Sequence, residues 1–345
     1  MDLPGVTAVS LGRFGGRIAR GRIFIDVRDI VNERLLPILG ESPLDPRRNQ
    51  VPFGQIPKVS ELEEGVIRVI APNASPMTLD GTNTYLIYGR NGDCYILDPG
   101  PSDPDHLESV IEVVEAKKLT PRGIVVTHHH FDHAQAAPSW SRHFDVRIFA
   151  SAIDNSGVGT VALSDGDVIE IDGQRLTALG TPGHTADHIC FALPSDRILT
   201  GDHILGRGTS VVAYPDGELQ SYISSLLKLE TRPHKGIYPG HGPDMDESVA
   251  DGVVKYYVSH RIYRLGQVAS AFGGEPTLLG EAVRTIYGSS IDPQVYFAAE
   301  LSTRAAVALL VRHGYLRHLE KGDSYLRTGS DLAQLTQEVF GIGPG

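Results

Sequence analysis

Cysteine is nearly absent. The 345 residues hold two, Cys94 and Cys190, with three methionines and one tryptophan. Each cysteine sits in an apolar strand-like run, Cys94-Tyr95-Ile96-Leu97 and Ile189-Cys190-Phe191-Ala192. That usage argues against a disulfide or a metal thiolate, and two buried thiols are expected. No apolar run approaches the ~20 residues of a membrane span. The N-terminus lacks a charged start followed by an apolar stretch, so no secretory signal is expected and a cytoplasmic protein follows by default. A basic excess is lacking too. Lys and Arg total 31 against 42 Asp and Glu, a net charge of −11. This argues against a general grip on a nucleic-acid backbone, while a local basic groove stays open. Internal repeats and low-complexity tracts are missing. With 41% hydrophobic and 21% charged residues, the composition is that of an ordinary soluble chain. Its length suits one large or two modest domains.

What is present is concentrated in Thr127-His128-His129-His130-Phe131-Asp132-His133. The order is His-x-His-x-Asp-His, directly after the apolar run Gly123-Ile124-Val125-Val126, which reads as a buried strand. Positions i and i+2 of an extended chain share a side, so His128 and His130 can converge on one point. Asp132 and His133 lie where a helix is expected, from His133 to His143, and can face a second point nearby. A single His-x-His is a common accident in polar loops. Four such ligands in six residues after a strand point to a transition metal.

The pattern around this loop alternates strand and helix. Strands are expected at Val66-Ile70, Thr84-Tyr88 and Cys94-Leu97, with a turn over 89–93. Asp103 can cap a helix with Pro104 first and with Leu107, Ile111 and Val114 on its apolar face. Further strands are expected at Val146-Ala150, Val168-Ile171, Arg175-Leu179, His188-Leu193, Arg197-Thr200 and Gly236-Tyr238. Leu219, Ile223, Leu226 and Leu227 mark a helix. Two β-rich halves with helices suggest two sheets face to face, helices outside, with strand ends on one edge. Beyond Asp246 the chain turns helical. Helices are expected from Asp246 to Ala271, Thr277 to Tyr287 and Leu301 to His313, then a hairpin of Tyr315-Leu319 and Tyr325-Arg327. Helices followed by a β-wing resemble a winged-helix module. The expected division is an N-terminal arm over 1–56, with arginines among glycines, a catalytic domain over 57–245, and a long helix plus winged helix over 246–340.

Four more ligand candidates sit at turns just after strands: Asp98 in Leu97-Asp98-Pro99-Gly100, His184 in Thr181-Pro182-Gly183-His184-Thr185, Asp202 in Gly201-Asp202-His203, and His241 in Tyr238-Pro239-Gly240-His241-Gly242. The adjacent glycines allow tight turns and close backbone approach. The ordered set resembles the metallo-β-lactamase superfamily across roughly Val59 to Gly242. The resemblance implies a mixed α/β (α+β) fold, a four-layer αββα sandwich, with two divalent metal ions at one edge. Carried over, His128, His130 and His184 hold the first ion. Asp132, His133 and His241 hold the second, and Asp202 bridges both. Asp98 binds no metal and orients the histidine loop by hydrogen bonding. Zinc is the first choice, with manganese and iron open. The implied chemistry is attack by a metal-bridging hydroxide, with Asp132 and Asp202 as the catalytic residues that fix it and handle its proton.

A finer resemblance links Leu79 to Ile87, Gly201 to Gly206, Tyr238 to Pro243 and Tyr257 to Arg261 with the β-lactamase-like endoribonucleases and the fungal metallo-β-lactamase-type thioesterases. The Thr-His-His-His-x-Asp-His spelling is also similar to that of glyoxalase II. The preferred expectation is hydrolysis of a small-molecule or carrier-bound acyl substrate: thioester, ester, lactone or amide. The alternatives are a single-strand-specific endoribonuclease, for which Arg207, Arg261 and Arg264 are the suggestive residues, and a DNA-binding winged-helix protein with a vestigial metal site. Candidate substrate contacts are Asn83, Tyr214 and Arg261. His129 is expected to point away from the ligands, and His188, His203 and His260 to serve packing. An oligomer stays open.

Overall fold

The computed structural model describes residues 17–19, 22–24, 43–47, 51–152, 161–288, 293–320, 322–329 and 331–341. The expected arm over 1–56 lies largely outside the described residues.

Two sheets dominate. The first runs in the order β3 (Val59–Glu63), β4 (Val66–Ile70), β5 (Asn83–Tyr88), β6 (Asp93–Leu97), β7 (Thr120–Val125), β8 (Arg147–Ser151) and β9 (Val161–Leu163). Two short strands, β1 (Arg17–Ala19) and β2 (Arg22–Phe24), pair separately. The second sheet runs β10 (Val168–Ile171), β11 (Gln174–Gly180), β12 (Ile189–Ala192), β13 (Arg197–Gly201), β14 (Gly236–Pro239) and β15 (Met245–Asp246).

Alternation of side chains along these strands builds the layers. Tyr85 and Ile87 of β5 point between the sheets, where they meet Leu176, Phe191, Leu199 and Tyr238. Leu86 of the same strand points outward, to a cluster with Val110 and Val114 of helix α1 (Pro104–Ala116) and with Trp140. On the second sheet Phe191 faces inward, while Cys190, Ile198 and Ile237 face outward onto helices. The architecture is therefore helix, sheet, sheet, helix. Both cysteines are free and buried, and burial raises each thiol to about 12. Among the described residues no helix is long and apolar enough to cross a membrane.

The outer layer on the second sheet continues into the C-terminal part. Helices α4 (Leu219–Glu230), α5 (Glu247–Ser270), α6 (Leu279–Tyr287), α7 (Pro293–Arg312) and α8 (Leu332–Phe340) follow in order. A small sheet joins β16 (Thr277–Leu278), β18 (Ser324–Arg327) and β17 (Leu316–His318). Leu226, Tyr257, Leu310 and Leu332 belong to one continuous apolar cluster, so this part packs directly on the body.

Several expectations shift. The helix foreseen from His133 to His143 is two helices, Phe131–Ala134 and Ala137–Phe144, because Pro138 in the first turn of the second removes an amide donor and clashes one turn back. The buried face of α1 is His106, Val110 and Val114, one position from the apolar stripe; Leu107 and Ile111 are only half-buried. His106 holds that place with its Nε2 bonded to the Thr84 hydroxyl at 2.8 Å, a partner for one nitrogen of a ring that an apolar pattern discounts. Thr277 and Leu278 are strand rather than helix, and α7 begins eight residues before Leu301. Helix α8 was not foreseen, although its Asp331 cap and the Leu332 and Leu335 spacing announce it.

Gly183, next to His184, tests how tightly the sheet edge is packed. Its φ is +134°, and a Cβ there would lie 2.2 Å from the Tyr222 backbone nitrogen. Gly166 also has positive φ, +89°, yet nothing lies within 4 Å of its added Cβ. Gly166→Ala should cost about 1–2 kcal/mol from backbone strain alone. Gly183→Ala adds an unrelievable backbone clash and should cost at least about 3 kcal/mol. Thermal unfolding of the two variants checks this ordering; equal losses would contradict it.

Candidate metal centre

The strands of both sheets end at one edge, and hydrogen bonds tie the edge together. Asn83 of the first sheet donates across it three times: its amide to the Gly240 carbonyl at 2.8 Å, and its Nδ2 to the carbonyls of Pro239 and Gly242 at 2.8 and 2.9 Å. Ile189 donates to Thr127 at 2.8 Å from the other side. Gly240 has no side chain because none fits: a Cβ would meet the Asp202 carboxylate at 2.5 Å and the His133 ring at 2.8 Å.

Two groups of ligand-type atoms converge at this edge. His128, His130 and His184 form one; Asp132, His133, Asp202 and His241 form the other, with donor atoms in each group within 4.8 Å of one another. In the first, the Nε2 atoms of His128 and His184 lie 3.0 and 3.1 Å from His130 Nδ1. In the second, His133 Nε2 and His241 Nε2 are 3.2 Å apart, and Asp132 Oδ2 lies 3.0 Å from His241 Nε2. Asp202 reaches both. Its Oδ2 is 3.8 Å from His184 Nε2, and its Oδ1 is 3.3 and 3.4 Å from His133 and His241. All seven residues expected to gather are here.

Their outer contacts select the ring tautomers. His184 Nδ1 donates to the Val211 carbonyl at 2.7 Å, which leaves Nε2 with a bare lone pair facing inward. His133 Nδ1 bonds Asp98 Oδ2 at 2.9 Å, and His241 Nδ1 the Gly81 carbonyl at 3.2 Å. Asp98 is fully buried, and it also accepts from the Thr127 amide and hydroxyl, each at 2.8 Å. Because that hydroxyl spends its one proton on Asp98, its lone pair accepts from His128 Nδ1 at 3.0 Å. His128 Nε2 is then bare as well.

Electrostatics separate the groups. Burial lowers His128 far below the usual imidazole range, helped by His133 and His184; burial takes His130 to about 4. Those rings are neutral, the state a cation requires. Burial opposes charge on His133 and His241 too, but Asp202 and Asp132 outweigh it. His133 is held well above its ordinary value and His241 at about 9. Asp202 Oδ1 is buried with no hydrogen-bond partner. A buried acceptor left over beside converging nitrogens fits a cation that would engage it. The His and Asp donor set, without thiolate, suits a borderline divalent metal.

The sequence profile of the metallo-beta-lactamase superfamily matches residues 77–241. The chain is 34% identical over 229 residues to "Lactamase-like protein aptB" of Emericella nidulans, covering 65% of this chain and 70% of that protein. The chain belongs to the metallo-beta-lactamase superfamily. It is also 30% identical to "Atrochrysone carboxyl ACP thioesterase" of Aspergillus chevalieri, over 75% of this chain and 84% of that protein. A beta-lactamase domain protein from Burkholderia ambifaria shares the fold with a TM-score of 0.66 at 21% identity, covering 82% of this chain and 97% of its own. The superfamily membership and the site chemistry together make this a hydrolase with a His/Asp centre for divalent metal.

Two of the expected substrate contacts are placed elsewhere. Asn83 is fully buried in the edge tie described above. Arg261 is 6% exposed; it donates to the Ser210 carbonyl and lies over the Tyr222 ring at 4.8 Å. Both serve the fold, and only Tyr214, 39% exposed, is open to solvent. His129 points outward, to Asp187 at 2.9 Å and Asp216 at 3.6 Å. His188 underlies the centre and accepts from the Asp202 amide at 3.2 Å. His203 is buried against Tyr222, as packing predicts. Sequence reasoning missed the bracing roles of Thr127 and Ser210, which act through hydroxyls common in any loop, and of Val211, whose backbone carbonyl carries no residue signature.

Proton release checks this electrostatic picture. In the metal-free chain at pH 7, the raised pKa values keep His133 and His241 protonated. A cation needs both neutral, so uptake of metal should release about two protons per chain. An indicator dye in weak buffer measures this, and apparent affinity should rise as the pH climbs toward about 9. His241 also contributes stability to the metal-free fold that is complete below 6.5 and lost as pH rises through about 9. Uptake without proton release would contradict the assignment.

Proposed function

We propose that this chain is a dinuclear metal-dependent hydrolase of acyl substrates, with a thioester as the preferred class. The observation that carries the reading is Asp202, whose two carboxylate oxygens face the two ligand groups separately. On this reading His128, His130 and His184 hold one ion, Asp132, His133 and His241 the other, and Asp202 joins them; zinc is the first choice, then manganese or iron. When bound, the ions supply Lewis acidity and a water that ionises near neutral pH.

The chain's own groups then have distinct tasks. Asp98 and Thr127 fix the rings of His133 and His128 from behind. Asp132, the more exposed of the two carboxylates at the centre, is open to the cleft, so it is placed to take up or hand on a proton. In the metal-free chain, the charged His133 and His241 hold its pKa at about 2 despite burial.

The acyl reading is supported by the thioesterase named among the relatives. It is also supported by where the basic side chains go. Arg207 is paired with Asp80 at 3.0 Å, Arg261 is buried on Ser210, and Arg264 bonds Gln267 at 2.8 Å. None of these makes the open basic groove that single-stranded RNA needs. In the C-terminal part Arg304 pairs with Glu300 and Asp323, and Arg312 with Glu218, which leaves a weak electrostatic footprint for DNA. We therefore read residues 57–245 as the catalytic domain and 246–340 as a winged-helix-like module that walls it.

The test is direct. Metal is counted in the purified protein, which is then assayed on a thioester, an ester, a lactone, a lactam and labelled single-stranded RNA. Thioester turnover is expected, with Asp132→Ala and Asp202→Asn each lowering kcat/KM by about 10²–10⁴-fold. Turnover of RNA alone would sink the acyl reading; full activity after exhaustive chelation would sink the metal one.

A further inference from the structure

A second site lies behind the loop that braces His184. Residues 209–211, helix α5 (Glu247–Ser270) and helix α7 (Pro293–Arg312) enclose a cavity of about 160 Å³. None of the seven converging residues lines it. Its walls are largely apolar, with Leu219, Leu265, Val268, Ala299 and Ala306 among them. Into these walls are set Arg261, Arg264 and His260, with no aspartate or glutamate among the described residues of the lining.

The polar groups are unevenly satisfied. Arg261 is more than nine-tenths buried; one nitrogen donates to the Ser210 carbonyl, but its Nε has no hydrogen-bond partner. His260, buried to the same degree, leaves Nδ1 without a partner. Burial and the flanking arginines keep that ring neutral. Arg264 lies over the Tyr287 ring at 4.6 Å and gives one nitrogen to Gln267. A buried guanidinium N–H left without a partner, beside a second guanidinium and with no carboxylate among the described lining residues, calls for an anion.

Size and lining narrow the class. A cavity of about 150 Å³ accommodates benzene. A compact dianion such as phosphate would strand most of its oxygens against apolar walls. A carboxylate on a small apolar body uses both features: the head meets the arginines and the body meets Leu265 and Val268.

We propose that this cavity binds a small carboxylate with a compact apolar body, about the size of benzoate, held by Arg261 and Arg264. The site is independent of the hydrolase reading. It is nevertheless one loop away from the centre, because Ser210 Oγ and the Val211 carbonyl lie 3.1 and 2.7 Å from His184 Nδ1.

Calorimetry on the full-length, metal-loaded protein tests this with benzoate, the neutral isostere benzamide and inorganic phosphate. Saturable one-to-one binding of benzoate is expected, with benzamide and phosphate at least about tenfold weaker. Arg264→Gln removes a half-buried charge, and Ser302→Leu fills the cavity from its more accessible side. Each should weaken benzoate about tenfold or more while leaving the melting temperature close to that of the parent. Benzoate binding that survives both substitutions, or that disappears on chelation, would overturn the proposal by placing the ligand elsewhere or on the metals. Equal binding of benzamide, tighter binding of phosphate, or no saturable binding would overturn it as well.

Discussion

Everything at the shared sheet edge depends on compensating charge that has been taken out of water. Of the five histidines and three aspartates there, all but His130 and Asp132 are buried, and those two are half-buried. Isolated ions in such a place would each cost several kcal/mol. The chain solves this in two ways. His128, His130 and His184 stay neutral, and His133 and His241 take protons from Asp132 and Asp202 as counter-charges. The second solution means the metal-free edge is already organised. Protons stand where cations can replace them, and the ring orientations do not depend on the exchange, since Asp98, Val211 and Gly81 hold the far nitrogens. Preorganisation of this kind lowers what binding must spend on ordering the ligands.

The sandwich exists to bring those residues together. Asp98, the His128–His133 loop, His184, Asp202 and His241 each follow a strand, and the strands belong to two sheets. Their meeting therefore rests on the cross-edge bonds of Asn83 and Ile189 and on glycines that admit close backbone contact. Gly240 illustrates the tightness: the space a methyl group would fill is occupied by Asp202 and His133. A residue can thus be indispensable to the centre through what it lacks.

Much of this was legible in the sequence. Strand positions such as Val66–Ile70, a short apolar run, and Val168–Ile171, an alternating one, were readable because both patterns are local, and the α1 cap because Asp103 carries its own signal. The gathering of these side chains at one edge was readable because histidines and aspartates at strand ends have few structural uses in that order. What failed was non-local. Arg261 and Asn83 looked like substrate contacts because they are polar residues near motifs. Only the fold reveals that their partners, Ser210 and Pro239, lie 51 and 156 positions away. His106 misled in the opposite sense, as a polar residue at the centre of a buried face.

The fate of Arg261 bears on how the C-terminal helices matter. It sits on α5, outside the span matched by the superfamily profile, yet its bond to Ser210 helps shape the loop that orients His184. The helices therefore do more than cover apolar surface on the second sheet. They supply one side of the brace behind a ligand histidine, and they leave a cationic cavity between that brace and α7. Substitutions in this region, far in sequence from His184, have a short physical route to it: the Arg261 guanidinium, the Ser210 residue it bonds through the carbonyl, and the Ser210 hydroxyl that faces the His184 ring. Substitution in this C-terminal part can on these grounds retune the centre of this chain without altering any of the seven converging residues.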